Sequence, residues 1–348
     1  MRSQQLIELD ILDGLQDIVL EELETIPESS LRDVQLSNAH MRFDYRGDLA
    51  WLLQLRSIIA AYQCFYFDVP RPKALLGHQH LSRIIDAARA MMRMHDQGAF
   101  QTLRLSAAGA DSAVMLRLRD ELAAQLGLQA NPEEGDLLLR LRRSSQSQGW
   151  ELLLRLSPRP LATRSWRVCN LPGAMNASLA YAMVQLSRPQ RRDRILNICC
   201  GSGTLLAERL GFAATYPAIG CDTNAEALRC AQANVAAAGH AARLRLEQWD
   251  ATALPLDTQS VNLILGDLPF GQLVGSHREN LQLYPRLLSE AARVAKPMAR
   301  MVLLSHELRL LDAALSNLSH LWTIRQIVGV RSGGMMPRIF VCERRSDY

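Results

Sequence analysis

Asp267-Leu268-Pro269-Phe270 closes an apolar run, VNLILGD, and is followed by Gly271. An acid, a backbone carbonyl, a proline and an aromatic ring in that order make a loop suited to gripping a planar amine. The nitrogen of an amino group on a ring is a poor nucleophile because its lone pair is delocalised. Acceptors for its two hydrogens restore that lone pair. Asp267 and the Leu268 carbonyl are suited to accept, Pro269 limits the loop's conformations, and Phe270 offers a flat apolar face on which an extruded base can stack. The chemistry of such a site is mostly the in-line positioning of two reactants. Taken alone, the same four residues would also serve as an ordinary turn.

A second constellation precedes this loop. The apolar run RILNI leads into Cys199-Cys200-Gly201-Ser202-Gly203-Thr204 and a helix-like stretch. Glycines there let backbone approach a ligand, and a helix start offers N–H groups to an anion. A dinucleotide site would want Gly or Ala three residues after Gly203, where this chain has Leu206, so pyrophosphate binding loses ground. Asp222 ends the next strand-like run about twenty residues on, where an acid accepts from both ribose hydroxyls. Asp250, with Ala251 beside it, ends the run LRLEQWD, where a carboxylate can accept from an adenine amino group. Each acid alone could be a helix cap or a solvated charge. Three in order at successive strand ends outline a crevice for adenosine, with the Gly201 to Gly203 turn against an amino-acid tail.

The elements that must hold these residues read as a regular alternation. RILNI, YPAIGCD, ARLRLEQWD, VNLILGD and RMVLLSH are strand-like, with helices starting near Ser202, Asn224, Glu279 and Glu307. That is the pattern of a doubly wound α/β sheet. WTIRQIVGV and RIFVCERR, joined by SGGMMP, are expected as an antiparallel pair at its edge. Residues 1 to about 160 read as α+β without a nucleotide fingerprint. LQDIVLEELETI, DLAWLLQLRSIIAAYQCF and LSRIIDAARAMMRMH are helix-like, whereas QTLRLSA, AVMLRLRDEL and WELLLRL are strand-like. NPEEGDLLLRLRRSSQSQGWELLLRLS reads as a hairpin. Pro158, Pro160, Pro172 and Gly173 then mark the boundary.

Composition sets the limits. The 348 residues suit two domains, 48% are apolar and 21% charged, and the net charge is only +4. Lys73 and Lys296 are the only lysines among 39 basic residues. Arginine forks suit phosphates and stacked bases; Arg140, Arg142 and Arg143, and Arg188, Arg191, Arg192 and Arg194, are the candidate phosphate-facing clusters, and the Arg331 to Gly334 loop is a candidate to approach a target base. The seven cysteines form no CxxC pair and an odd number makes no closed disulfide framework, which points to a reducing compartment. His78, His80, His277 and His306 lack metal-ligand spacing, so no metal is expected. No apolar run reaches the ~18 residues of a membrane span, and no export signal stands at the start.

At the level of motifs, NICCGSGTLLAE, GCDTNAEAL, QWDA and DLPFG resemble the cofactor and catalytic motifs of the THUMP-domain RNA methyltransferases, above all the branch that makes N2-methylguanosine in tRNA. The resemblance is close over roughly 165 to 345 and looser over 1 to 160. It implies a ferredoxin-like α+β unit over 1–60, a THUMP-like RNA-binding domain over 61–158, a linker and pre-strand helix over 159–190, and a class I, Rossmann-like methyltransferase domain over 191–348 with a seven-stranded, mostly parallel sheet. It further implies S-adenosylmethionine as cofactor, tRNA as partner and the cytoplasm as compartment. Catalytic roles fall to Asp267, Leu268, Pro269 and Phe270. Cofactor contacts fall to Asn176, Asn197, Cys199, Gly201, Ser202, Gly203, Thr204, Asp222, Asp250 and Ala251. LPGAMNASLAYAM, which holds Asn176, resembles the segment that packs over the cofactor. Two positions depart from the pattern: Asn197 stands where the family has Asp, so no charge is offered to the cofactor's ammonium, and Cys199 stands where it has a bulky aromatic residue. The residues leave two other classes open, a methyltransferase for another planar amine (rRNA guanine, DNA adenine or protein glutamine) and a non-catalytic RNA-binding relative. Retention of Asp222, Asp250 and Asp267 speaks against the last.

Overall fold

Leu139, Leu141, Leu152 and Leu154 are fully or almost fully buried at every second position of a hairpin, the period that builds a sheet with one face on a core. The structure, a computed structural model, describes residues 4–27, 31–145, 147–270 and 276–346, so the middle of the SSQSQG hairpin loop and Gly271 lie outside the described residues. The chain divides into two units, Met1–Ile11 with Val19–Leu161, and Leu12–Ile18 with Ala162–Tyr348.

In the first unit β1 (Gln5–Asp10), β2 (Leu31–Leu36), β3 (His40–Tyr45), β4 (Ala60–Phe67), β5 (Thr102–Ala107), β6 (Gln129–Ala130), β7 (Leu137–Arg143) and β8 (Trp150–Arg155) form one mixed sheet, ordered β2-β3-β1-β4-β8-β7-β5-β6 among the described residues. The helices of this half of the chain are α1 (Gln16–Glu24), α2 (Leu49–Leu52), α3 (His78–Met92) and α4 (Ala113–Leu126). Because β4 pairs with β1 on one side and β8 on the other, the sheet runs unbroken across the division expected at residue 60.

Two elements differ from expectation. The long helix expected over DLAWLLQLRSIIAAYQCF is the short α2 followed by β4. Both faces of β4 are buried, Ala61 and Phe67 on one and Ala60, Tyr62 and Cys64 on the other, so its apolar run carries no alternation. AVMLRLRDEL, expected as a strand from its Leu116-Arg117-Leu118-Arg119 alternation, is α4. Its buried positions are Met115, Leu118, Leu122 and Ala123, a helical spacing, and Gly127 ends it in the left-handed conformation (φ +69°).

The arginines beside the hairpin are also engaged otherwise than expected. Arg142 donates to both carboxylate oxygens of Glu8 (2.9 and 2.5 Å) and to Glu151, while Arg140 pairs with Asp10 at 2.8 Å and lies over the Tyr62 ring. Arg143 covers Trp150. The charges of Arg140 and Arg142 are matched within the sheet, which leaves these two little to offer a phosphate.

The second unit contains α5 (Ala177–Leu186), β9 (Ile195–Ile198), α6 (Thr204–Leu210), β10 (Ala218–Cys221), α7 (Ala225–Ala237), β11 (Leu244–Glu247), β12 (Val261–Asp267), α8 (His277–Val294), β13 (Ala295–Ser305), α9 (Leu308–Asn317), β14 (Trp322–Gly329) and β15 (Arg338–Arg344). Its seven strands, among the described residues, run β11-β10-β9-β12-β13-β15-β14. The first five are parallel, and β15 is antiparallel between β13 and β14, so the expected hairpin closes the edge. This is the strand order of a class I methyltransferase fold. Since β14 points the same way as β13, the β14–β15 loop rises at the C-terminal ends of the parallel strands, and Arg331 there meets Asp13 (N–H to Asp13 carbonyl, 2.9 Å).

Glu151 is 2% exposed and accepts from Arg42 at 2.6 Å and Arg142 at 3.1 Å. Glu151→Ala would take from Arg42 the carboxylate it donates to, while Arg142 keeps Glu8, and is expected to lower stability by about 3 kcal/mol in urea unfolding. A loss under ~0.5 kcal/mol would mean that water already screens these pairs.

Candidate active site

Register brings the candidate residues to one edge. Ile198 pairs with Cys221 on one side and Gly266 on the other, and Asp267 stands beside Leu304. The residues that follow β9 and β10, and the last residue of β12, therefore line up along the C-terminal ends of neighbouring parallel strands, where α/β sheets hold ligands. A cavity of about 650 Å³ opens there, a size suited to a nucleoside-sized ligand. Cys199, Gly201, Ser202, Thr204, Asp222, Asp250 and Ala251 line it, together with the whole of Asp267 to Phe270.

The turn after β9 is strained in the way a ligand cradle is. Cys199 has φ +48°, unusual for a residue with a side chain, Gly201 has φ +51° and Gly203 has φ +77°. Asp222 fixes the turn: Oδ2 accepts from the Gly201 N–H and Oδ1 from the Asn224 N–H, both at 2.9 Å. Each oxygen keeps a lone pair with which it can accept from a ligand. Burial, with Asp222, Cys221, Asp267 and Asp250 nearby, pushes the Cys199 thiol up, so it stays protonated and serves as wall.

Three expected cofactor contacts do not line the cavity. Asn176 is the N-cap of α5, its Oδ1 accepting from Ser178 and Leu179 N–H groups, and the roof of the cavity is instead Leu171 to Met175 just before it. Asn197 is fully buried within the sheet and donates from Nδ2 to the Leu265 carbonyl at 3.0 Å. Gly203 allows α7 to pack closely: a Cβ there would meet Ala231 Cβ at 2.9 Å. Conversely, Trp249, Glu226 and Leu283 line the cavity without having been singled out. Trp249 was findable, since it directly precedes Asp250; Leu283 lies on α8, whose face no motif marks.

The roof is tied down. Cys169 and Cys230 form a disulfide with Cα atoms 5.4 Å apart, against the expectation that the cysteines stay unpaired. Separation in sequence hid a pair that folding brings together. Asn234 adds to the tie, donating to the Cys169 and Ser202 carbonyls and accepting from the Cys169 N–H, all at 2.9 Å.

In the Asp267 to Phe270 loop, Asp267 Oδ1 is buried with no hydrogen-bond partner among the described residues, and burial pushes this carboxyl up to about 7. Phe270 packs against His306, ring centroids 4.2 Å apart, and burial holds that imidazole below its usual range. The other proposed basic cluster lies elsewhere. Arg188, Arg191, Arg192 and Arg194 are exposed but precede β9, at the opposite end of the strands from the cavity.

A family model described as an RMKL-like methyltransferase domain matches residues 164–337, half of the chain. The chain belongs to that family. Over 188 residues this methyltransferase domain chain is 31% identical to the mouse (Mus musculus) tRNA (guanine(6)-N(2))-methyltransferase THUMP3, a match covering 51% of the chain and 37% of the relative. The chain thus spans well under half the length of that relative. The tRNA (guanine(6)-N2)-methyltransferase of Methanocaldococcus jannaschii is 23% identical over 281 residues, 69% of this chain and 71% of the relative. Among solved structures, TrmN from Thermus thermophilus superposes with a TM-score of 0.73 at 23% identity, covering 98% of this chain and 99% of the other. A putative methyltransferase, SMU.472, solved with SAH, reaches 0.69 at 12% identity over the whole of both chains. No helix among the described residues is long and apolar enough to cross a membrane.

Gly203→Ala is expected to lower stability by about 1–3 kcal/mol through its left-handed backbone and the Ala231 clash, and to weaken S-adenosylhomocysteine binding as the turn shifts. Thermal unfolding and calorimetric titration read the two effects; an unchanged pair of values would contradict this account of the turn.

Proposed function

We propose that this chain transfers a methyl group from S-adenosylmethionine to the exocyclic N2 of a guanosine in tRNA. The observation that carries the proposal is the orphaned Asp267 oxygen on the wall of a cavity that Asp222 and Asp250 also line. A buried acceptor without a donor costs about 1–3 kcal/mol, and a ligand amino group is the donor that removes that cost. The names of relatives that match most of their own length, tRNA (guanine(6)-N2)-methyltransferases, support guanine N2 and tRNA as the target.

In this reading Asp222 holds the ribose, Asp250 the adenine, and the Gly201 to Thr204 turn the amino-acid tail. The donor set fits: two acids for hydroxyl and amino groups, and a glycine turn whose Gly201 faces open space. Bound there, S-adenosylmethionine supplies a methyl carbon on a positively charged sulfur that leaves as a neutral thioether. Asp267 and the Leu268 carbonyl accept the two hydrogens of N2, turning its lone pair out of conjugation. The methylated nitrogen is briefly cationic and must lose one proton. Asp267, with its carboxyl raised to about 7, is matched to take that proton near neutrality and pass it to water. Phe270, backed by a neutral His306, stacks on the base without adding charge. The first unit would act as the THUMP-type tRNA grip. Exposed Arg278, Arg309 and Arg331, in segments that follow β12, β13 and β14 at the cavity end, would meet the backbone beside the target.

Labelled methyl from S-adenosylmethionine is expected to enter tRNA lacking this modification and to appear as N2-methylguanosine by nucleoside mass spectrometry. Methylation of DNA or protein with tRNA untouched would contradict the proposal. Asp267→Ala should abolish transfer, by at least ~100-fold, while S-adenosylhomocysteine still binds; undiminished turnover would remove Asp267 from the mechanism. Because the carboxylate is the working form, kcat/KM for the cofactor, which reports the free enzyme, should fall as pH drops through about 7. The folded carboxyl lies above its unfolded value, so Asp267 costs stability as pH rises from about 4 to about 7. Asp267→Asn should therefore raise the melting temperature at pH 8 and gain little at pH 4. The reverse pattern would contradict a dry carboxylate.

A further inference from the structure

We propose that Asn280 and Tyr284, one turn apart on α8, are positioning residues that decide which backbone carbonyl of the catalytic loop receives the substrate amine. This rests on the amine-gripping reading of Asp267 to Phe270 given above.

Asn280 Nδ2 and the Tyr284 hydroxyl both donate to the Pro269 carbonyl, each at 2.8 Å. A carbonyl oxygen has two lone pairs, so two donors leave it none for a ligand. They also fix the plane of the Pro269–Phe270 peptide, from which the Phe270 ring projects. With Pro269 closed to the amine, the backbone acceptor left beside Asp267 is the Leu268 carbonyl, and the pair Asp267 and Leu268 sets the direction in which the nitrogen lone pair points.

Tyr284 is itself oriented. The Glu307 N–H can only donate, so Ser305 Oγ accepts from it at 3.0 Å. Ser305 in turn gives its hydrogen to Tyr284 Oη at 3.1 Å, and Tyr284 gives its own to Pro269. The result is a one-way chain of donors running from the start of α9 through the end of β13 to the loop, each bond strengthening the next. Burial pushes the Tyr284 hydroxyl up, which keeps its proton in place. Glu307 is held by His277, the first residue of α8, at 2.8 Å.

Asn280 gives the sharper sign of function. It is 0% exposed and its Oδ1 has no partner among the described residues. A leucine would fill the same space and remove an unsatisfied acceptor. The fold has no need of an amide at this position; the loop does. Retaining a group that burdens the core while serving the site is the stability–function trade-off expected of positioning residues.

The test uses the full chain with Asn280→Leu and Tyr284→Phe. Both variants should lower kcat for methyl transfer roughly 10- to 100-fold, with KM for S-adenosylmethionine and for tRNA changed less than about twofold. Asn280→Leu should melt at or above the wild-type temperature. Unchanged kcat in both variants would overturn the proposal, and so would an Asn280→Leu protein whose melting temperature falls in step with its activity. Crystal structures of the wild type and Asn280→Leu provide a readout that needs no substrate: the Pro269–Phe270 peptide should rotate once one donor is lost, and an unmoved peptide would overturn the inference. If the wild type transfers no methyl to tRNA, the functional reading fails, while the peptide geometry still decides the positioning role.

Discussion

A carboxylate whose Oδ1 is buried, with no donor to it among the described residues, is the constraint on which the second unit depends. Asp267 cannot be kept in that state by its own loop. It ends β12, the strand flanked by β9 and β13 in the middle of the sheet, with Leu263, Ile264 and Leu265 fully buried behind it. The sheet thus supplies the burial that raises the carboxyl, and the cavity it lines supplies a direction from which a donor can reach it. Parallel strands explain why the other acids converge there: every βα turn opens at the same edge, so Asp222 and Asp250 arrive without contacts of their own to Asp267.

Around that acid, positions are fixed by groups that never meet a ligand. Asp222 orients the glycine turn through two backbone N–H groups, Asn234 and the Cys169–Cys230 bond hold the roof, and two donors on α8 close the Pro269 carbonyl. Rigid support of this kind suits a reaction in which the work is alignment. The first unit is built on a different economy of charge. Glu8, Asp10 and Glu151 meet Arg42, Arg140 and Arg142 on one sheet face, so these three cations are matched by acids within the sheet.

Much of this was legible in the sequence. The strand–helix alternation after residue 190 carried the fold, because β9, β10, β12 and β13 are apolar runs each followed by a helix. Asn224 caps α7 through the Glu226 N–H at 2.8 Å. The carboxylates were legible because strand ends are where acids stand out against apolar runs. What failed did so for local reasons. β4 is buried on both faces and so shows no period, α4 happens to alternate Leu and Arg over four residues, and the continuous sheet of the first unit depends on β4–β8 pairing across some ninety residues, which no local pattern reveals. Asn176 was identified with the right segment but the wrong task, since a cap and a ligand contact call for the same side chain. Asn280 and Tyr284 escaped notice because their partner is a backbone carbonyl, which leaves no mark in sequence.

The central claim is that Asp267 holds a buried Oδ1 with no donor among the described residues, and titration of its carboxyl carbon tests that most directly. Carbon-13 NMR of aspartate-labelled protein, with the signal assigned by its loss in Asp267→Asn, should show a midpoint near 7 in the free protein. Adding S-adenosylmethionine, a cation beside the carboxylate, should draw the midpoint down. A midpoint near 4 in the free protein, the value of a hydrated aspartate, would contradict the account.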